Sequence, residues 1–135
     1  MLKNTLIAYA AALVAVAILD ALWLGLIAKP LYQQGIGHLM ADKPNIPAAL
    51  VFYFLFPIGL MVFAVHPGAL IAPSWQATLT AAALFGLFTY ATYDLSNLAT
   101  LKNWPLSLAA IDIAWGIFLS TASAAAAKLA LSVTR

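Results

Sequence analysis

Thr5 to Ala28 reads TLIAYAAALVAVAILDALWLGLIA, a stretch whose only charged side chain is Asp20. About twenty helical residues, rising 1.5 Å each, cross the ~30 Å hydrocarbon core of a bilayer, so this run is long enough to span one. Lys3, the apolar stretch and Ala15-Val16-Ala17 also have the outline of a secretory leader with a small-residue cleavage site. The apolar run continues well past that point, and a retained membrane span is the expectation.

Working outward, three further runs have the same character: Ala48 to Val65, Gln76 to Ala99 and Pro105 to Leu131. The connections, Lys29 to Pro47, His66 to Trp75 and Thr100 to Trp104, each hold Pro, Gly or charge that breaks an apolar helix. Only the first is long. The chain therefore reads as all-α, a polytopic transmembrane four-helix bundle forming one domain over residues 1–135. Composition agrees: 65% of residues are hydrophobic and 7% charged, against about 25% charged in an ordinary soluble domain.

Net charge is +2, and the six Lys and Arg are scattered singly near the ends of apolar runs. Nucleic-acid binding needs clustered phosphate neutralisation and is not indicated. There is no cysteine, which excludes disulfides, thiolate metal sites and a cysteine nucleophile. With four spans, the termini share one face with the second connection, and the first and third connections share the other. Lys3, Lys128 and Arg135 fall on the terminal face, Lys29, Lys43 and Lys102 on the loop face. The free amino terminus breaks that tie toward cytoplasmic termini.

Glutamate is absent, and three of the four aspartates, Asp20, Asp94 and Asp112, fall inside the expected spans. A charged side chain at the bilayer centre costs roughly 2.5 to 3.5 kcal/mol on insertion scales, so all three must avoid lipid together. Counted from the loop face at 1.5 Å per residue, each lies roughly 8 to 12 Å deep, and they can converge in one pocket. Tyr90, Tyr93, Asp94, Asn97 and Thr100 recur at spacings of three and four, a polar stripe expected to face the bundle interior. Asp20 and Asp112 each stand three residues before a tryptophan. Trp23 reads as an interface anchor and Trp115 as a pocket wall. Pro57 removes a helical hydrogen bond to the Tyr53 carbonyl, which needs another partner or a polar cavity, and it either opens such a cavity or only shapes the helix.

These residues define a candidate binding or proton-accepting set: Asp20, Asp94, Asp112, Asn97, Tyr93, Tyr90, Trp23, Trp115, Thr100 and Tyr53. With no Lys or Arg at that depth, the pocket suits a cation, a proton or a donor-rich ligand. The competing reading is cohesion, since buried Asp, Asn, Tyr and Trp also hydrogen-bond helices together at roughly 0.6 to 2 kcal/mol per contact. His38 and His66 fall on opposite faces and form no shared metal site. Ala8, Ala11, Ala12 and Ala15, with Ser120, Ser123, Ala124 and Ala127, permit close helix packing within the bundle or in a homo-oligomer.

The segments Asp20-Ala21-Leu22-Trp23, Thr92 to Thr100 and Asp112-Ile113-Ala114-Trp115-Gly116 resemble the signature of a bacterial family of small, predicted four-span membrane proteins catalogued as a domain of unknown function. The resemblance covers nearly the whole chain. It implies residence in the bacterial inner membrane and no particular activity. The two Asp-x-x-Trp segments, on antiparallel helices, also hint at an inverted repeat.

Three functions compete. The first is a small-molecule, cation or proton site tied to transport or sensing, in at least a homodimer because four helices are few for alternating access. The second is an accessory or assembly subunit of a larger membrane complex. The third is an intramembrane lipid-modifying or related enzyme. Tyr93-Asp94 with Asp112 has the outline of an aspartyl dyad, but the Gly-x-Gly-Asp element and clustered histidines are missing. No catalytic residue, metal or cofactor is assigned.

Overall fold

The computed structural model describes residues 1–134, among which there are five α-helices and no strand. Arg135, one of the three terminal-face cations, lies outside the described residues. Three helical segments are both long and apolar enough to cross a membrane: Leu2–Ile27, Ile46–Val65 and Leu106–Thr134.

The first segment is α1, Leu2–Leu22, continued by one wider π-type turn, Trp23–Ile27, in which the Ala28 amide reaches back five residues to the Trp23 carbonyl at 2.7 Å. Its buried residues, Ala8, Ala12, Val16 and Asp20, recur every four positions, so one narrow stripe of small side chains faces the other helices. Leu6, Val14 and Ile18 are exposed, as lipid-facing positions would be. A short helix follows: α2, Lys29–Ile36, started by Pro30, whose missing N–H costs nothing in a first turn. The long first connection is thus half helical, which corrects its reading as a loop. Its eight residues are too few and too polar on average to read as a span.

The second apolar segment is α3, Ile46–Leu60, capped by the Asn45 side chain, which accepts from the Ala48 amide at 3.2 Å. Pro57 lies inside it, and one residue after the Tyr53 carbonyl that the proline leaves without a helical partner, the Phe54 carbonyl accepts from Tyr9 of α1 at 2.8 Å. The segment ends in a π-type turn, Met61–Val65, and His66 stops it in the left-handed region at φ 50°.

Helix α4, Trp75–Thr100, starts at Ser74, whose hydroxyl accepts from the Ala77 amide at 3.1 Å. Its 26 residues have the length to span but not the hydropathy, because Thr, Ser, Tyr, Asp and Asn are spread along it. Many of its hydroxyls are satisfied within the helix: Thr89 donates to Phe85 at 2.8 Å and Thr100 to Ser96 at 2.8 Å. Such back-bonding lets a hydroxyl sit in an apolar medium without stranding a donor. The last helix is α5, Leu106–Thr134, buried along Asp112, Gly116, Ser120, Ser123 and Ala127 among others.

The main core lies where α1, α4, α5 and the lower end of α3 meet, and it is built of small residues and a few leucines. The α4–α5 contact is the closest. A Cβ added at Gly86 would lie 2.3 Å from the Gly116 carbonyl oxygen, and one at Gly116 would lie 2.1 Å from Tyr90 Cγ. Only glycine permits this approach. At the same end as Met61–Val65, Lys128 of α5 donates to the Pro73 carbonyl and sits 5.5 Å over the Trp75 ring, fastening the start of α4 to the end of α5. At the opposite end, Ile36, Trp104, Leu108 and Ala109 form a second small cluster that docks α2 on the start of α5.

Candidate functional site

Asp20, Asp94 and Asp112 come from α1, α4 and α5 and are 6%, 1% and 5% exposed. The helix stripes explain the convergence: Asp20 continues Ala8, Ala12 and Val16, Asp94 continues Thr78, Ala82 and Gly86, and Asp112 lies one turn before Gly116. Each carboxyl therefore emerges where the tightest-packed face of its helix reaches the level of the site.

Their surroundings differ. Asp20 is fully engaged: Tyr53 of α3 donates to Oδ2 at 2.7 Å and Trp115 of α5 donates to Oδ1 at 3.2 Å. One carboxylate thus ties three helices. Asp112 accepts from Tyr32, carried on α2, and Tyr32 in turn accepts from the Trp23 indole at 3.3 Å. Burial first, and then the bond to Asp112, hold the Tyr32 phenol above its ordinary pKa, so it remains a donor. Asp94 receives no hydroxyl, amide or indole donor on either oxygen. Its neighbour is the Asp112 carboxyl, close enough for a carboxyl–carboxyl hydrogen bond. Such a bond exists only when one of the two groups carries a proton, since ionised carboxylates only accept.

Trp23 and Trp115 lie face to face, ring centroids 4.5 Å apart and planes within 4°. Trp23 is thus part of the interior network and not a lone interface anchor. The two Asp-x-x-Trp segments are crossed: the α5 indole serves the α1 aspartate, and the α1 indole serves the α5 aspartate through Tyr32.

Beside this network lies a cavity of about 740 Å³, lined by Asp20, Trp23 and Leu24 of α1, Tyr32 of α2, Ala48, Ala49, Phe52, Tyr53 and Phe56 of α3, Thr89, Tyr90 and Tyr93 of α4, and Asp112 of α5. A volume of 300 to 1,000 Å³ with apolar walls and few convergent polar groups is typical of small-molecule sites. No Lys, Arg or His lines it. Two other cavities of similar volume hold no carboxyl group in their linings.

Of the residues singled out by spacing, Asp20, Tyr53, Tyr90, Tyr93, Trp23 and Asp112 line this cavity. Trp115 and Asp94 stand behind it, and Asn97 and Thr100 do not reach it. The α4 stripe divides: Tyr90, Asp94 and Asn97 turn at least partly inward, whereas Tyr93 and Thr100 are exposed, Tyr93 with its ring edge-on to Trp104 at 5.8 Å. A stripe drawn at spacings of three and four is wider than the face one neighbouring helix can cover. Tyr32, Phe52, Phe56 and Thr89 were missed. Lys29-Pro30 just before Tyr32, a proline in a first turn, was the signal available for α2.

An all-helical bundle with three helices long and apolar enough to cross a membrane, and with buried carboxyls, defines the class, a membrane protein. The chain matches the family described as Predicted membrane protein (DUF2177) over residues 5–129, and it belongs to that family. No curated protein and no solved structure matches it.

Proposed function

We propose that the chain crosses the bacterial inner membrane four times with cytoplasmic termini, and that its cavity binds a small molecule, cation or proton within the membrane, as the site of a homo-oligomeric transporter or sensor. The observation that carries this reading is the 740 Å³ cavity with Asp112 in its wall and the donor-less Asp94 behind it. Cohesion alone accounts for Asp20, whose oxygens are both taken by neighbouring helices, whereas the one polar neighbour of Asp94 is a second carboxyl, that of Asp112. The α4 back-bonding described above supports α4 as the fourth span. Hydrolysis is the weaker reading: a catalytic dyad presents both carboxyls to its substrate, and Asp94 does not line the cavity.

The test is thermal stability against pH for purified protein, comparing the parent with Asp94→Asn and Asp112→Asn. Asparagine keeps the size while removing the titratable group. The expected result is a folded variant that loses a pH-dependent transition present in the parent. Variants that only melt earlier, with the parent's pH profile, would leave the cluster as packing in an accessory subunit of a larger complex.

A further inference from the structure

The cavity walls and the state of each carboxyl narrow the ligand. Trp23, Phe52, Phe56, Tyr90 and Tyr93 supply aromatic surface, and the only acidic groups in the wall are Asp20 and Asp112. Asp20 has both oxygens occupied by Tyr53 and Trp115, and one Asp112 oxygen is taken by Tyr32. Among the described residues no three His, Asp or other ligating groups are placed to hold a metal ion. A dehydrated inorganic cation needs several oxygen ligands at once, about six to eight for calcium. A bulky organic cation needs aromatic faces and one compensating carboxylate.

We propose that the cavity takes a lipophilic organic monocation, such as an aromatic ammonium or phosphonium, in exchange for the proton shared by Asp94 and Asp112. This rests on the binding reading above and names its ligand class. Before binding, the pair holds one proton between two carboxyl groups and carries one negative charge. The cation approaches Asp112, the proton leaves to water, and the Asp112 carboxylate then faces the cation with the Asp94 carboxylate behind it, again a net charge of minus one. No covalent bond is made or broken except the O–H that releases the proton. The buried charge is unchanged, and so the exchange avoids the cost of adding an uncompensated charge to an apolar site.

The other titratable groups facing the pair are Asp20 from α1, Tyr32 from α2, Tyr53 from α3 by way of Asp20, and Tyr90 and Tyr93 from α4. Of these only Asp20 is a carboxyl that could take up the proton in place of water, and both its oxygens already accept, from Tyr53 and Trp115. Leu24, Phe52 and Tyr93, all exposed, border the cavity, so a lipophilic ligand enters sideways from the lipid-facing surface.

The experiment is calorimetric titration of the purified full chain with tetraphenylphosphonium, in two buffers of different ionisation heat, with uncharged triphenylphosphine as the second probe. The expected result is saturable binding of the cation, at least tenfold tighter than of the neutral probe, with one proton released per cation bound. Asp94→Asn should still bind but release no proton, because its amide has none to yield. Tyr93→Leu, at a half-exposed position and checked by its thermal stability, should weaken cation binding roughly tenfold through the lost ring face. Equal affinity for the two probes would overturn the cation assignment and leave a small-molecule cavity standing. Cation binding without proton release would overturn the exchange. Binding of neither probe would overturn the inference as well, while the pH test of Asp112→Asn still judges the broader reading.

Discussion

Replacing Gly116 by alanine is expected to destabilise the bundle by about 3 kcal/mol, the upper end of what overpacking a close contact costs. The new methyl group would lie 2.1 Å from Tyr90 Cγ and within 2.6 Å of both adjacent ring carbons, so the ring itself, and not the far end of a flexible chain, must move. Tyr90 lines the cavity, and its displacement should weaken ligand binding along with stability. Gly25→Ala is the control: a Cβ there meets nothing within 4 Å, and its stability should match or slightly exceed the parent's. Reversible unfolding in mixed detergent micelles measures both. Equal behaviour of the two variants would show that α4 and α5 do not approach as closely as described.

The second large effect is expected at Asp20. Asp20→Ala strands the Tyr53 hydroxyl and the Trp115 indole together, each of which loses its acceptor between helices. Single interhelical hydrogen bonds in membranes average about 0.6 kcal/mol, because a released group usually finds another partner. Two part-buried donors losing one shared acceptor between helices should cost more, roughly 2 kcal/mol. Asp20→Asn should cost under about 1 kcal/mol, since its carbonyl accepts from Trp115 while its amide donates to the Tyr53 oxygen. Unfolding of the two variants side by side decides it, and an alanine variant as stable as the asparagine one would remove Asp20 from the fastening of α1, α3 and α5.

The parts of this arrangement differ in how plainly the residues announce them. Long apolar runs made α1, α3 and α5 legible because a bilayer imposes a length and a hydropathy that few other folds share. The meeting of Asp20, Asp94 and Asp112 was legible too, since position along a straight helix converts directly to height. What heights do not contain is rotation. Whether Trp23 points outward or onto Trp115 depends on where the helix widens, and nothing in Trp23-Leu24-Gly25-Leu26-Ile27 marks a π-type turn over an ordinary one. Tyr32 was invisible for another reason: α2 is held by Ile36 docking on Trp104 and Leu108, partners some seventy residues away in the chain. Such a helix owes its existence to tertiary contact and leaves little trace in its own eight residues.

The face-to-face indoles of Trp23 and Trp115 have an optical consequence. Two parallel chromophores at 4.5 Å share their excited states, which gives the stacked pair a circular dichroism in the near ultraviolet distinct from that of Trp75 and Trp104, neither of which stacks on another indole. Because Trp115 holds Asp20 and Trp23 holds Tyr32, that signal exists only while α1, α2 and α5 are assembled around the cavity. The protein thus carries a native reporter of its own site.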